Sequence, residues 1–298
     1  MNIFDENTDF NFAKSAVTLG KFDGFHLGHQ RLIHQTVEKA KERGLESVIF
    51  SFDTAGITKQ KSITTREERN MIAGRLGVDD LVYYPVNEWT MGMSPRDFVE
   101  KILVEKMNVQ YIVTGEDFRF GKNREGDVQT LKELAGEYGY ELCVMESVEL
   151  DGEKVSSTAI KNYIRSGNVE NAEKMLGFPF FYCGQVVRGN QIGRTIDSKT
   201  ANLIPAEQKI VPEYGVYKTN MIVDGKKYKS ITNIGLCPTV KQDRDEITIE
   251  TNIFDFDSEI YQKDVIVELV GFIRKEKKFD NIDDLKSQIL LDIAQAKF

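Results

Sequence analysis

The first 180 residues alternate between short apolar runs and helical patterns, and this alternation constrains the fold more than any other feature of the chain. The apolar runs, each of strand length, cover 13–19, 46–52, 81–84, 111–114 and 141–145. Helical patterns separate them at 29–43, from Thr65 to about Leu76, from Ser94-Pro95 onward and from Asp127 to about Tyr138. Because strands joined through helices run parallel, we predict an α/β domain with a parallel sheet and helices on both faces.

From about residue 181 the pattern changes to strands rich in β-branched and aromatic residues. Asp224-Gly225 separates two of these strands and is a strong signal for a two-residue hairpin. Since parallel strands cannot be joined by two residues, this half is predicted to be antiparallel and to form a small β-barrel.

The chain has 298 residues, which is enough for two hydrophobic cores. Two short helices at 157–176 lead up to the change of pattern, and a helix from Asn281 to the C-terminus follows the last strand. We therefore expect two domains, 1–180 and 181–298, with the second ending in that helix.

Composition excludes several classes of protein. Apolar residues make up 41% and charged residues 29% of the chain, which is an ordinary globular balance. The formal net charge of −8 argues against a duplex-binding protein, so we expect no nucleic-acid partner. No apolar run approaches 18 residues, so we expect no membrane span. The sequence carries no signal for an oligomeric state.

Cysteine usage and the N-terminus both favour a cytoplasmic location. Cys143, Cys183 and Cys237 are far apart, odd in number and without metal-ligand spacing, as expected of thiols in a reducing compartment. The N-terminus carries acidic residues where a signal peptide needs basic residues followed by an apolar run.

A glycine-rich segment that contains two of the three histidines follows the first predicted strand and opens the first predicted helix. Gly20, Gly24 and Gly28 would let the backbone approach a phosphate chain, and the helix N-terminus would supply amide donors. His26 and His29 lie three residues apart, so both imidazoles can face the same anion. A metal site is disfavoured because no further ligand lies nearby in sequence. The segment therefore predicts a phosphate-binding site.

The segment GKFDGFHLGH at 20–29 resembles the HxGH signature of the nucleotidylyltransferases. The whole chain is similar to the bacterial bifunctional riboflavin kinase/FAD synthetase family. The matching segments are GEDFRFG at 115–121, VSSTAIKNYIRSGNVENAEKMLG at 155–177, GQVVRGNQIGRT at 184–195, TANL at 200–203, YGVY at 214–217, NIGLCPTV at 233–240 and ETNIFDFD at 250–257. This resemblance implies a Rossmann-like nucleotidylyltransferase domain followed by a riboflavin-kinase-like barrel.

In that family the N-terminal half adenylylates FMN to FAD. The resemblance implies that His26 and His29 act on the ATP phosphates and stabilise charge on the transferred α-phosphate and the leaving pyrophosphate. Lys161 stands where relatives usually carry arginine after the second phosphate motif. The implied nucleotide-binding residues are Gly20, Phe22, Asp23, Gly24, Gly28, Asp117, Ser156, Ser157 and Thr158.

The C-terminal half of the family phosphorylates riboflavin to FMN. The resemblance implies that Thr200 and Asn202 hold Mg²⁺ and nucleotide phosphate. It also implies that Glu250 is the base that takes the proton from the flavin's ribityl hydroxyl. The implied small-molecule partners are ATP, FMN and riboflavin.

The chain departs from the family pattern at three places. Relatives usually carry Phe-x-Pro-His-Pro after the second strand, where this chain has Phe52-Asp53-Thr54-Ala55-Gly56. Their kinase signature Gly-Phe-Pro-Thr-Ala-Asn reads Asp197-Ser198-Lys199-Thr200-Ala201-Asn202 here, and their Tyr-Gly-Lys reads Tyr261-Gln262-Lys263. We therefore expect the flavin to be held differently or more loosely, and the kinase loop to present its ligands less reliably.

The leading hypothesis is an ATP- and Mg²⁺-dependent FAD synthase attached to a riboflavin-kinase-like barrel that is expected to phosphorylate riboflavin slowly or not at all. Three alternatives stay open: the fully bifunctional enzyme, a regulatory paralogue that binds flavin or nucleotide, and an adenylyltransferase acting on a non-flavin phosphate. The lost Pro-His-Pro segment keeps the last alternative open.

Overall fold

The computed structural model describes residues 1–54, 57–187, 200–238, 245–279 and 281–297. The chain divides into two compact units, the first made of Met1–Gln60 and Arg66–Ser156, the second of Lys61–Thr65 and Ser157–Phe298. Apart from residues 61–65, which belong to the second unit, the division falls between Ser156 and Ser157. The domain boundary near residue 180 stays a prediction.

The first unit contains strands and helices in alternation. They are β1 (Asn2–Phe4), β2 (Ser15–Gly20), α1 (Leu27–Arg43), β3 (Glu46–Asp53), α2 (Arg66–Arg75), β4 (Asp80–Pro85), α3 (Glu88–Gly92), α4 (Pro95–Asp97), β5 (Val109–Gly115), α5 (Val128–Tyr138), β6 (Glu141–Met145), β7 (Glu149–Leu150) and β8 (Glu153–Lys154). Helix α4 continues into a π-helical segment at Phe98–Val104, and a short 3₁₀ turn covers Lys122–Arg124.

Six of these strands form one sheet in the order β1-β4-β3-β2-β5-β6, and every neighbouring pair is parallel. The predicted parallel sheet is confirmed, with β1 as an added edge strand. From β2, the chain adds β3 and β4 on one side and β5 and β6 on the other. The strand order therefore switches direction between β2 and β5, where open α/β sheets bind their ligands.

Two apolar clusters bury the two faces of this sheet. Alternate residues of a strand point to opposite faces. Thus Val17 of β2 belongs to the larger cluster, whereas its neighbour Ala16 packs with Ala40 of α1 and Val113 of β5. Helices therefore cover both faces, as the sequence predicts.

The second unit is mainly antiparallel. Its elements are α6 (Ser157–Arg165), α7 (Val169–Leu176), β9 (Phe181–Gln185), β10 (Thr200–Leu203), β11 (Gly215–Val223), β12 (Lys226–Pro238), β13 (Asp245–Ile253), β14 (Asp264–Lys275) and α8 (Ile282–Lys297). Asp224 and Gly225 join β11 to β12 with φ of 49° and 78°, the positive values that a tight hairpin of this kind requires. The predicted hairpin is confirmed.

The six strands follow the order β10-β13-β12-β11-β14-β9, and a bridge between the two ends of this order closes the sheet. Val187, just beyond β9, pairs with Asn202 of β10, and its N–H donates to the Asn202 carbonyl at 2.9 Å. This closure produces the small barrel that the sequence predicts. Among the described residues, no helix combines the length and apolar character that crossing a bilayer requires.

One buried ion pair attaches helix α8 to the barrel. The Arg274 Nε of β14 donates to both carboxylate oxygens of Asp292 at 3.0 Å, and Nη2 donates to Oδ2 at 2.7 Å. Gln288 donates to the same carboxylate at 2.9 Å. Asp292 is only 3% exposed, so these donors replace the water contacts that its carboxylate loses on burial.

We expect Asp292→Ala to lower the free energy of unfolding by about 2–3 kcal/mol, because it leaves the Arg274 guanidinium partly buried without its partner. Urea unfolding of the full chain measures this loss. Lys286→Ala, at an exposed position of the same helix, is the control and should change stability by less than about 0.5 kcal/mol. Equal stabilities of the two variants would contradict the role of the ion pair.

Candidate active sites

The first candidate site lies where β2 and β5 end side by side. β2 ends at Gly20 and β5 at Gly115, and the two strands are parallel neighbours at the switch point of the sheet. A short loop leads from Gly20 to helix α1, so the N-terminus of α1 lies at this edge of the sheet. The glycine-rich segment at 20–29 begins at the end of β2, forms this loop and ends in the first turn of α1.

The loop is held in an unusual backbone conformation by its aromatic residues. Phe22, Gly24 and Phe25 have φ of 47°, 91° and 46°, in the left-handed region that disfavours residues with a side chain. The rings of Phe22 and Phe25 are fully buried, and this burial offsets the backbone strain. Asp23 between them is half-buried. The Phe22 ring lies 5.1 Å from the ring of His29, so it supports the histidine.

His26 is the N-cap of helix α1. Its Nδ1 accepts a hydrogen bond from the backbone N–H of His29 at 3.4 Å. Because Nδ1 is the acceptor, a neutral His26 carries its proton on Nε2. A Cβ on Gly28 would lie 3.2 Å from this ring, so glycine gives the imidazole its space. The cap therefore positions the imidazole of His26 at the start of the helix.

The two imidazoles are stacked on each other. Their ring centroids are 3.6 Å apart, with 18° between the planes. His26 is 8% exposed, and the Nδ1 of His29 is buried without a hydrogen-bond partner among the described residues. The expectation that both side chains face one position is consistent with this stack.

Burial keeps both histidines neutral in the free protein. It lowers the pKa of His26 from 6.5 to about 4, and the nearby charges of Asp23 and Asp117 oppose this shift only in part. Burial also lowers the pKa of His29 well below 6.5, and a charged His26 would lower it further. A bound polyphosphate would reverse these shifts, because a nearby anion favours the charged imidazolium.

Asp117 and Lys154 form an ion pair at the same edge of the sheet. The Lys154 Nζ donates to Asp117 Oδ2 at 2.9 Å, and Asp117 is exposed just beyond the end of β5. A Cβ on Gly115 would lie 3.3 Å from Asp117 Oδ1, so glycine allows the carboxylate to lie close to the strand end. Asp117 is therefore at this edge and accessible to a ligand.

Three further buried side chains at this edge have polar atoms without hydrogen-bond partners in the described part of the chain. They are the hydroxyls of Thr18 on β2, Thr114 on β5 and Tyr84 on β4. Each lies within two residues of the carboxyl end of its strand. Unpaired buried polar groups are rare in native proteins, so their position at one edge is typical of a ligand-binding region. None of the three was predicted from the sequence, because hydroxyl residues in apolar strands carry no distinguishing pattern.

The second phosphate motif lies at the start of helix α6. Ser156 precedes the helix, and Ser157 and Thr158 belong to its first turn, where backbone N–H groups need acceptors from outside the helical ladder. Lys161 follows one turn later and is half-buried. The segment thus has the local structure of an anion-binding helix start, and its contact with a nucleotide stays a prediction.

The second candidate site lies on the barrel, around Glu250 of β13. Glu250 pairs with Asn202 of β10 on one side and with Asn233 of β12 on the other. Paired residues of neighbouring antiparallel strands share a face, so these three polar side chains lie side by side. Thr200 shares that face of β10, two residues before Asn202. The predicted residues are therefore brought together, and Asn233 joins them.

The Glu250 carboxyl is half-buried and has a second carboxylate near it. Burial raises its pKa, and the charge of Glu276 raises it further. A Cβ on Gly235 of β12 would clash with the carboxylate of Glu276, so the Glu276 side chain occupies the space beside that glycine. Neither Gly235 nor Glu276 was predicted from the sequence, because their proximity arises only from the tertiary structure.

Two of the departures from the family pattern fall wholly or partly outside the described residues. The altered kinase segment at 197–199 lies outside them, as do Ala55 and Gly56. The third departure is described: Gln262 has φ of 64°, a conformation that favours glycine, which is the residue that the resemblance implies at this position.

We expect acidification to destabilise the chain through His26. Between pH 6.5 and about pH 4 the folded chain binds fewer protons at this residue than the unfolded chain, so the free energy of unfolding falls as the pH drops. From pH 8 to pH 5 this loss is about 2 kcal/mol for His26 alone.

Urea unfolding of the wild type and of His26→Asn at both pH values measures that loss, since asparagine keeps an N-cap acceptor. The variant should lose about 2 kcal/mol less than the wild type on acidification. His34→Asn, at an exposed position of α1, should lose as much as the wild type. Equal losses in all three proteins would rule out the assigned protonation state of His26.

Comparisons with known proteins identify a family for each half of the chain. A family model described as FAD synthetase matches residues 9–159, and one described as riboflavin kinase matches residues 176–298. Three curated relatives are named bifunctional riboflavin kinase/FMN adenylyltransferase. The relative from Bacillus subtilis (strain 168) is 36% identical, and the match covers 95% of this chain and 92% of the relative. The relative from Listeria monocytogenes is 34% identical, and the match covers 97% of this chain and 92% of the relative. The relative from Escherichia coli (strain K12) is 31% identical, and the match covers 94% of this chain and 91% of the relative.

A solved structure from Streptococcus pneumoniae, described as a macrolide-efflux protein, is similar to the whole chain with a TM-score of 0.88. It is 30% identical, and the similarity covers 99% of this chain and 98% of that one. That description differs from the names of the curated relatives, and the two family models agree with the curated names. By its two family models and its relatives over nearly the full length, the chain belongs to the bifunctional riboflavin kinase/FMN adenylyltransferase family.

Proposed function

We propose that the first unit transfers AMP from ATP to FMN and releases FAD and pyrophosphate. An FMN phosphate oxygen attacks the α-phosphorus of ATP, and the bond from that phosphorus to the bridging oxygen of the β-phosphate breaks. The observation that carries this proposal is the stacked pair of His26 and His29 at the N-terminus of α1, at the switch point of a parallel sheet.

In this reaction the protein positions the phosphates and stabilises their charge. The loop glycines let the phosphate chain approach the backbone, and the first N–H groups of α1 provide donors to it. The Nε2–H of His26 and the imidazole of His29 donate to the oxygens whose charge grows as pyrophosphate leaves. Because both rings are already fixed by the cap and the stack, they need little reorganisation during the reaction.

The flavin ring of the acceptor would lie on the aromatic side chains at the same edge of the sheet. Phe52 at the end of β3 and Phe118 beyond β5 are half-buried, with ring centroids 6.2 Å apart. Phe98 lies 5.7 Å from Phe52 and adds a third ring from the π-helical segment. Planar aromatic ligands stack on such rings. This cluster supports a flavin acceptor although the chain lacks the Pro-His-Pro segment.

Ser156, Ser157, Thr158 and Lys161 would bind the nucleotide phosphates. The support is the position of the first three at the start of α6, where the backbone N–H groups of the first turn and the helix dipole favour an anion. Lys161 supplies a cation without the two-pronged geometry of arginine.

The primary experiment incubates the full chain with ATP, Mg²⁺ and either FMN or riboflavin, and separates the flavins by chromatography. FAD formed from FMN supports the proposal. Tight flavin binding without any product would instead favour a regulatory paralogue. Consumption of ATP with a different phosphate acceptor, and not with FMN, would favour a non-flavin adenylyltransferase.

We expect His29→Ala to lower the turnover number for FAD formation by roughly 10²–10³-fold and to change FMN affinity much less. The reason is that the imidazole acts on charge that develops only as the reaction proceeds. Steady-state kinetics with varied FMN and ATP measure both quantities. His34→Ala, at an exposed position of the same helix, is the control and should keep wild-type turnover. Unchanged turnover in His29→Ala would remove the proposed role.

A second candidate function, phosphorylation of riboflavin, is favoured by the face that Asn202, Asn233 and Glu250 share. Burial and the Glu276 charge raise the pKa of Glu250, which suits a carboxylate that must accept a proton from a hydroxyl. Oxygen donors from Thr200 and Asn202 are the ligand type that Mg²⁺ prefers. Mg²⁺ bound there would neutralise nucleotide phosphate charge.

We expect the unmodified chain to phosphorylate riboflavin much more slowly than it adenylylates FMN. Asp197 and Lys199 replace the glycine and proline that shape the family's loop before Thr200. Chromatography of the reaction products over time gives both rates.

The triple variant Asp197→Gly, Ser198→Phe and Lys199→Pro rebuilds that loop and should raise the rate of riboflavin phosphorylation. Adding Glu250→Gln to the triple variant is the control and should abolish the gain. Rapid formation of FMN from riboflavin by the unmodified chain would contradict this prediction and support a fully bifunctional enzyme.

A further inference from the structure

The hydroxyl of Tyr84 has no hydrogen-bond partner among the described residues, although the side chain is only 7% exposed. The other buried tyrosines of the described chain all have a partner for the hydroxyl. These pairs are Tyr83 with Asn70, Tyr111 with Gln35 and Cys143, Tyr140 with the Leu131 carbonyl, Tyr182 with the Ile210 carbonyl and Tyr217 with the Glu213 carbonyl. Tyr84 is therefore the exception that needs an explanation.

The surroundings of Tyr84 are aromatic rather than polar. Its ring lies 5.0 Å from Phe50, 6.4 Å from Phe52 and 6.2 Å from Phe98, measured between centroids. Burial raises the pKa of Tyr84 to about 12, so the hydroxyl stays protonated at working pH and acts as a donor. Phenylalanine would fill nearly the same space without leaving a buried hydroxyl unpaired.

The position of Tyr84 indicates which molecule could accept a hydrogen bond from its hydroxyl. It is the next-to-last residue of β4, at the carboxyl edge where such a sheet binds its ligands, and Phe52 is its register partner on β3. Phe52 belongs to the ring cluster on which the flavin would stack. The flavin ring system carries nitrogen and carbonyl oxygen atoms that accept hydrogen bonds.

We propose that the Tyr84 hydroxyl donates a hydrogen bond to an acceptor atom of the flavin ring when FMN binds, and so helps the site select a heteroaromatic acceptor. This inference rests on the proposed adenylylation of FMN. The unpaired hydroxyl destabilises the unliganded chain and is satisfied only in the complex. Removing it should therefore change stability and FMN affinity in opposite directions.

The test compares Tyr84→Phe with Tyr140→Phe, both in the full chain. Tyr140 lies in the same apolar cluster, and its hydroxyl donates to a backbone carbonyl at 2.6 Å. Thermal unfolding without ligand gives the midpoint temperature, and steady-state kinetics of FAD formation give the KM for FMN and for ATP.

We expect Tyr84→Phe to raise the midpoint of the unliganded chain by about 2–4 °C, because it removes an unpaired buried hydroxyl. Its KM for FMN should rise by about 5–15-fold, and its KM for ATP should stay unchanged. Tyr140→Phe should lower the midpoint and leave both KM values at the wild-type level. A residue with a merely structural role would not combine a higher midpoint with a higher KM for FMN.

An unchanged KM for FMN in Tyr84→Phe, while the wild type forms FAD, overturns the role of Tyr84 and leaves the proposed function intact. A lowered midpoint in Tyr84→Phe also overturns it, because the hydroxyl would then be satisfied without flavin. A wild-type chain that forms no FAD from FMN rejects the proposed function and this inference together.

Discussion

The first candidate site depends on how the imidazole of His26 caps helix α1. The cap depends on extended backbone at His26 and on the left-handed turns just before it, and the missing Cβ at Gly28 gives the imidazole its space. Buried Phe22 and Phe25 hold those turns in place. Stacking of His29 on His26 then brings two neutral imidazoles to the N-terminus of a helix, where an anion is favoured. A change in the cap would therefore displace the whole arrangement.

The same edge of the sheet carries several groups that lower the stability of the free protein. Burial keeps His26 and His29 uncharged, and the hydroxyls of Thr18, Tyr84 and Thr114 lack partners within the described chain. Each of these groups gains a favourable interaction when a phosphate or a polar ring reaches it. Such a concentration of unfavourable groups is typical of sites selected for binding and chemistry rather than for stability.

On the barrel, closure of the sheet and assembly of the second site depend on the same residue. The carbonyl of Asn202 accepts the hydrogen bond that joins the two ends of the strand order, and Asn202 is also the register partner of Glu250. The missing side chain at Gly235 leaves room for Glu276, whose charge acts on Glu250. The polar face therefore depends on the register of β10, β13 and β12, which sets Asn202 and Asn233 on either side of Glu250.

Features that depend on local pattern could be predicted from the order of residues. The alternation of strands and helices predicted the parallel sheet and Asp224-Gly225 predicted the hairpin, and both are present. The phosphate-binding role of the glycine-rich segment around His26 and His29 stays a prediction. Which side chains meet across strands became clear only in the folded chain. The Tyr84 hydroxyl, which lacks a partner among the described residues, and the approach of Glu276 to Glu250 leave no trace in the order of residues. Burial, lack of partners and like-charge proximity are set by strand register and by packing between residues far apart in the chain. Turns, caps and periodicity, in contrast, are set by near neighbours.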